Sequence, residues 1–286
     1  MIPKGTLPYE LLHLPQHLWK IYNLPRENMV ESRHYYGRNF RQYILFLRPK
    51  DMRNVRGVAV YVHGGAWMSG SPEMFKATAQ ALVDRGYVAF NWAYRLLPFY
   101  KHPHMREDIS NALLLTLSLM REHGLEQHRL IVGGTSAGGH LAAHLLFNQA
   151  KLAEIGLNQA IFKGFFSYVS PLDLDKMPSS TVIRLYAGKR GDASFETANP
   201  INYLTGDEGL PMLCVSGSSD GIVNTESVLS FAEKAGRSQP ELVHYHMVKD
   251  GTHLDTSNTW IVPHSPERRF FDDWLEAVET LDEKHQ

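Results

Sequence analysis

The chain has 286 residues, 43% of them hydrophobic, enough for one large domain with a sizeable core and unlike a disordered or fibrous protein. Its 30 acidic and 29 basic side chains leave a net charge of −1, so neither a basic face for nucleic acid nor an acidic tail is expected, and small neutral substrates fit best. The one cysteine, Cys214, excludes an internal disulfide; within Met212-Leu213-Cys214-Val215 it reads as a small buried apolar residue, compatible with a reducing compartment. The first residues, Met1 to Pro8, lack a basic stretch followed by an apolar one, and no later segment is long and apolar enough to span a bilayer. A cytoplasmic protein without membrane attachment is therefore expected.

Residues 9 to 35 mix aromatics and prolines without a clean period, and are expected to form a short helix and a lid over a site. Regular patterning begins with an alternating strand at 42–48, followed by a nearly all-apolar strand at 57–62 that ends at His63. Phe75, Ala79, Leu82 and Val83 share one face of a helix at 73–85, which Gly86 stops. A strand at 87–91 and a Pro-rich loop lead to a helix at 105–123, with Ile109, Leu113, Leu117 and Met120 at helical spacing. Strand 129–132 runs through a glycine-rich turn into a helix at 137–149, and strand 161–167 precedes an irregular stretch to about 205. Strand 211–216, helix 224–235, strand 241–248 and a helix at 266–281 complete the chain. Strands alternating with helices imply a mostly parallel sheet covered on both faces, in a single domain over 1–286 with no internal linker.

Two glycine-rich turns carry the chemistry. After Leu130-Ile131-Val132 comes Gly133-Gly134-Thr135-Ser136-Ala137-Gly138-Gly139, which contains Gly-x-Ser-x-Gly. A serine on a tight strand-to-helix turn needs residues without side chains two positions before and after it, and is thereby pushed above the sheet. The amide of Ala137, at the start of the helix, is then a donor for a developing oxyanion. A phosphate loop would need Gly-Lys-Ser/Thr, which is absent here. One strand-helix unit upstream, Val58 to Val62 ends in His63-Gly64-Gly65-Ala66-Trp67, where small residues can present successive amides; Gly65 and Ala66 are the candidate oxyanion donors.

With Tyr94-Arg95-Leu96-Leu97-Pro98 followed by Asp108, and Gly134 to His140, the His63-Gly64-Gly65-Ala66-Trp67 motif resembles the α/β-hydrolases of the hormone-sensitive-lipase-like and kynurenine-formamidase-like group. The resemblance covers roughly residues 55 to 280. It implies an α/β-hydrolase fold with a mostly parallel eight-stranded sheet, helices on both faces and a small cap, and a Ser-His-Asp mechanism. Ala66 stands where the lipase-like branch usually has glycine, and the His-Gly-Gly-x-Trp form is similar to the formamidase-like branch. In this fold an acid and then a histidine follow the serine, each on a loop after a strand. Asp220, in Gly217-Ser218-Ser219-Asp220-Gly221 after the strand ending at Ser216, and His253, in Lys249-Asp250-Gly251-Thr252-His253, fit those places. Asp173 and Asp192 fall in the irregular segment, and Asp250 is too near His253 to be its obvious partner. His102, His104, His244 and His246 lack acidic or cysteine companions at ligand spacing, and are expected to be structural or exposed rather than metal ligands.

The segment 170–205 should form the cap, together with elements from 1–35, and Trp67 and Tyr168 are expected among the pocket walls. The expected activity is hydrolysis of carboxylic esters of small to medium acyl groups through an acyl-enzyme, with no cofactor and no metal. Its rivals are an arylformamidase-type amide hydrolase and a sugar acetyl esterase. A non-catalytic ligand-binding protein on the same scaffold would be expected to lack a triad member, and all three positions are filled. The partner is a small ester, not nucleic acid or membrane; oligomeric state is left open, a homodimer included.

Overall fold

The computed structural model describes residues 2–283; Met1 and residues 284–286, which the expected domain includes, lie outside the described residues. In chain order the main elements are α1 (Leu7–Tyr22), β1 (Met29–Tyr35), β2 (Tyr43–Pro49), β3 (Gly57–Val62), α2 (Lys76–Val83), β4 (Tyr87–Trp92), α3 (His102–Glu122), β5 (Leu130–Thr135) and α4 (Ala137–Phe147). They continue with α5 (Gln149–Glu154), β6 (Phe162–Tyr168), α6 (Thr181–Ala187), α7 (Ala193–Ala198), β7 (Met212–Gly217), α8 (Thr225–Ala235), β8 (Val243–Val248), α9 (His253–Ser257) and α10 (Arg268–Glu283).

The strands form one eight-stranded sheet in the order β1-β2-β4-β3-β5-β6-β7-β8. β1 pairs antiparallel with β2 and β2 with β4, while every pair from β4 through β3 to β8 is parallel. Parallel neighbours need crossover helices, and these cover both faces. Successive side chains of a strand point to opposite faces, so Val58, Val60 and Val62 of β3 join one apolar cluster with Leu113 of α3, Leu141 of α4 and Phe231 of α8. Ala59 and Tyr61 join the other, with Leu82 of α2 and Phe271 and Trp274 of α10. Because both faces are covered, the central strands read as unbroken apolar runs. All the parallel strands therefore end at one rim of the sheet, where the loops after β3, β5, β7 and β8 meet.

Two expectations change. Residues 29–35, assigned to a lid, form the edge strand β1; it has a single neighbour and is largely exposed, so its side chains Glu31, Ser32, Arg33 and His34 carry no burial pattern. The helix expected ahead of it is α1, 16 residues long despite an internal Pro15. The segment 170–205 contains α6 and α7, two short helices joined by turns. Among the described residues no helix is long and apolar enough to cross a membrane.

Trp274 is fully buried and lies over Gly164 of β6, where an added Cβ would come within 3.0 Å of its ring. Trp274→Ala is expected to cost about 3–5 kcal/mol of unfolding free energy, measured by denaturant titration, since that cavity lies between a helix and a sheet that cannot collapse onto it.

Candidate active site

Ser136 sits between the last residue of β5 and the first of α4 with φ 54° and ψ −125°, a left-handed backbone that a serine adopts only under constraint. The constraint is the passage of the turn against β3: a Cβ on Gly134 or on Gly138 would run into the carbonyl oxygen of Val62. From the other side the Ser136 amide donates to the Tyr168 carbonyl at 2.9 Å, and the His140 amide donates to the Ser136 carbonyl at 3.1 Å. Ser136 retains 9% of its surface, whereas the β5 residues Ile131 and Val132 beneath it retain none, so the turn lifts it to the opening.

The loop after β3 runs beside this serine. A Cβ on Gly64 would lie 2.9 Å from the Thr135 carbonyl oxygen and 3.3 Å from Ser136 Cβ. Gly65, Ala66 and Trp67 all have positive φ, at 125°, 53° and 57°. The turn closes through the amides of Met68 and Ser69, which donate to the Gly65 carbonyl, and the amides of Gly65 and Ala66 take no part in those bonds. The Tyr94-Arg95-Leu96-Leu97-Pro98 segment braces the loop from behind. Tyr94 Oη donates to the His63 carbonyl at 2.9 Å with its ring stacked on His63, and the Leu97 amide donates to the Trp67 carbonyl at 2.9 Å. Arg95 is in turn held by Asp108, which accepts from its amide at 2.8 Å and its Nε at 2.9 Å. Burial pushes His63 down to about 3, so it is a neutral structural imidazole; its Nδ1–H donates to the Gly64 carbonyl at 2.7 Å.

Asp220 and His253 come together as a pair. His253 Nδ1–H donates to Asp220 Oδ2 at 2.9 Å and to Oδ1 at 3.1 Å, and Asp220 Oδ1 also accepts from the amides of Ile222 and Val223 at 2.8 Å. The two loops are stitched by the Ser219 amide on the Gly251 carbonyl and the Ser218 amide on the Val248 carbonyl. His253 is not on an open loop but opens α9, whose cap Thr252 accepts from the Asp255 amide at 3.1 Å. Burial favours the neutral imidazole, but the charge of Asp220, its hydrogen bond and the charge of Glu10 outweigh it and raise His253 above its ordinary value. Thr135, next to Ser136, donates to the Ser257 carbonyl at 3.4 Å and so ties the serine turn to α9. Among the described residues no hydrogen bond joins Ser136 to the His253 imidazole; such contacts commonly tighten only when substrate is bound. The competing carboxylates lie elsewhere: Asp173 accepts from Ser230 of α8, Asp192 from the Lys189 amide, and Asp250 is exposed with its amide on Ser218.

Of the two expected walls, Trp67 stacks on Tyr186 of α6 at 4.2 Å and meets His140 edge-on at 5.1 Å. Tyr168 is not a wall. Its side chain shares the face of β6 with Phe166 and is fully buried against Trp260, and only its carbonyl serves the site, by accepting from Ser136. Beyond Trp67, burial depresses the basicity of His102, His140 and His144, and leaves all three neutral. Sequence reasoning missed Glu10 of α1, 1% exposed, whose carboxylate accepts from the amides of His253 at 2.7 Å, Gly221 at 3.2 Å and Leu254 at 3.3 Å. No local pattern marks it, because its partners lie more than two hundred residues away. Thr252-x-x-Asp255, a capping pattern, was the available signal for α9.

A serine on a strained turn after a central parallel strand, with a glycine loop beside it and a carboxylate–imidazole pair after later strands, defines the α/β-hydrolase class. Within it the chain belongs to the BD-FAE family, whose profile matches residues 45–235, well over half of the chain. It is 31% identical over 140 residues to arylacetamide deacetylase of Oryctolagus cuniculus, a match that covers 47% of this chain and 35% of that protein. It is 28% identical over 218 residues to esterase LipC of Mycobacterium tuberculosis, covering 70% of this chain and 53% of that one. The chain thus spans about a third to a half of the length of these curated relatives. Among solved structures, esterase B of Lactobacillus rhamnosis inhibited with a tributyrin phosphonate superposes with a TM-score of 0.73 at 21% identity, covering 97% of this chain and 96% of that one.

The brace behind the loop after β3 has a measurable weight. Asp108 has no exposed side-chain surface and Arg95 only 13%, so Asp108→Ala removes the buried acceptor shared by the Arg95 amide, its guanidinium and Gln42 Nε2, and leaves the guanidinium only the exposed Glu107 as a carboxylate. A loss of about 1–3 kcal/mol in unfolding free energy is expected by chemical denaturation, the cost of buried donors left without their acceptor, where a surface pair would lose less than about 1 kcal/mol.

Proposed function

We propose that this protein is a serine hydrolase that cleaves carboxylic esters of small to medium acyl groups. Ser136 Oγ attacks the ester carbonyl carbon while His253 Nε2 takes its proton, and Asp220 stabilises the resulting imidazolium. The negative oxygen of the tetrahedral intermediate is met by the amides of Ala137, Gly65 and Ala66. The intermediate collapses as His253 returns the proton to the departing alkoxide, leaving the acyl group on Ser136. Water, deprotonated by the same imidazole, then attacks the acyl carbonyl, and Ser136 recovers its proton as the acid leaves.

The observation that carries this proposal is the hydrogen-bonded Asp220–His253 pair at the rim of the sheet where the strained turn raises Ser136. Membership of the BD-FAE family and likeness to proteins named esterases and a deacetylase support the ester as the scissile group. The cap offers two helices of seven and six residues, a modest cover that suits short acyl chains better than long lipids. A cytoplasmic location belongs to the same proposal, supported by a single cysteine that is buried and unpaired. Ala66, in the His-Gly-Gly-x-Trp form, keeps a formamide substrate as the alternative.

A panel of p-nitrophenyl esters from acetate to octanoate set against N-formylkynurenine tests the choice; a clear preference for the formamide overturns it. Ser136→Ala is expected to lower kcat by about 10⁴-fold or more with an unchanged melting temperature, and to abolish labelling by a fluorophosphonate. Retention of most activity would mean that another residue is the nucleophile. Since the base must be neutral and His253 is raised, kcat/KM is expected to fall as pH drops through a value above about 6.5. An acidic limb well below that value would point to a different base.

A further inference from the structure

The N-terminal helix does more than cover the site. Glu10, His17 and Ile21 lie on its inner face, and Glu10 reaches both the loop of Asp220 and the start of α9 at His253. The same atom, Oε1, accepts from the Gly221 amide in the loop of Asp220 and from the His253 amide at the start of α9, while Oε2 accepts from the Leu254 amide. At Gly221 the approach leaves no room for a side chain: a Cβ there would lie 2.5 Å from the backbone carbon of Thr6. Seven residues along the helix, His17 Nε2 accepts from Asn258 Nδ2 at 2.7 Å, a second tie to the segment that follows His253.

We infer that Glu10 is a positioning residue for the proposed triad, its carboxylate clamping the loop of Asp220 to the helix of His253 and adding a second negative charge to the surroundings of the imidazole. Three backbone donors face an acceptor-only group, an arrangement that suits a carboxylate and fixes its place to within a hydrogen bond. By holding two adjacent backbone segments with one oxygen, Glu10 sets the separation on which the Asp220–His253 bond depends. The charged and titratable groups that act on His253 are Asp220 from the loop after β7 and Glu10 from α1, with His17 of α1 also beside it; Asp255 of α9 acts on His17. His17, pushed down to about 4 chiefly by burial, is neutral near pH 7, so Glu10 is the charge that α1 contributes.

The inference rests on the esterase proposal for its catalytic meaning, but its test does not. Side-chain NMR titration of His253 in the whole protein compares the parent with Glu10→Gln, which keeps the size of the side chain and an acceptor oxygen and removes the charge. The imidazole is expected to titrate about half a pH unit lower in the variant, and the acidic limb of kcat/KM for p-nitrophenyl butyrate to move down with it. A folded Glu10→Gln protein with an unmoved His253 titration overturns the inference. Should that variant fail to fold, Glu10→Asp keeps the charge on a chain too short to hold both loops. Its kcat is expected to fall about tenfold with KM within about twofold of the parent, and an unchanged kcat overturns the inference equally. A parent that hydrolyses no ester but shows the titration shift counts against the esterase proposal alone. An active parent whose His253 ignores Glu10 counts against the role of Glu10 alone.

Discussion

The close passage of the turn after β5 across the end of β3 is the constraint from which the rest of the site follows. Val62 offers its carbonyl where Gly134 and Gly138 go by without side chains, and that contact forces Ser136 into its left-handed backbone. The same crossing brings the loop after β3 alongside the serine, so Gly64 and the glycines at 134 and 138 answer to one steric requirement, while Gly65 answers to the tight turn that ends at Ser69. Tyr94, Leu97, Arg95 and Asp108 then keep the loop pressed into that crossing. Strain at Ala66 and Trp67 of the loop persists because the surroundings over-determine it.

Burial and charge sort the histidines into two kinds. His17, His63, His140 and His144 are enclosed with no carboxylate bound to the ring, and their basicity drops to about 4, 3, 3 and 4. His253 is enclosed to a similar degree, yet Asp220 and Glu10 stand beside it and its basicity rises. A buried imidazole can therefore be weakly or strongly basic on the same scaffold, and nearby negative charge decides which.

The central strands were legible because strands covered on both faces must be apolar throughout, as Val58 to Val62 and Leu130 to Val132 are. The long helix α3 was legible because Ile109, Leu113 and Met120 repeat at its period. The order of the glycine turns, Asp220 and His253 along the chain was equally plain, since each follows a strand. What stayed hidden has physical reasons. β1 is an exposed edge strand whose polar side chains need no burial pattern, and Pro15 interrupts the pattern of α1. Tyr168 was expected to face the pocket, but the two-residue period it shares with Phe166 turns it toward Trp260. Glu10 acts through contacts made only when the ends of the chain meet, and no spacing rule over neighbouring residues can register that.

The clasp of α1 on the loops of Asp220 and His253 also bears on where a boundary can be drawn. The family match runs from residue 45 to residue 235, which leaves both Glu10 and His253 outside it. A fragment trimmed to that match would keep the strained serine and its glycine loop but lose the imidazole and the helix that steadies it. A shorter cut that removed only the first ten residues would spare every recognisable motif and still unfasten the acid loop from the base. Residues 7–22 are therefore tied into the rim of the sheet as firmly as the loops they clasp, and a cut or insertion among them is felt at Asp220 and His253.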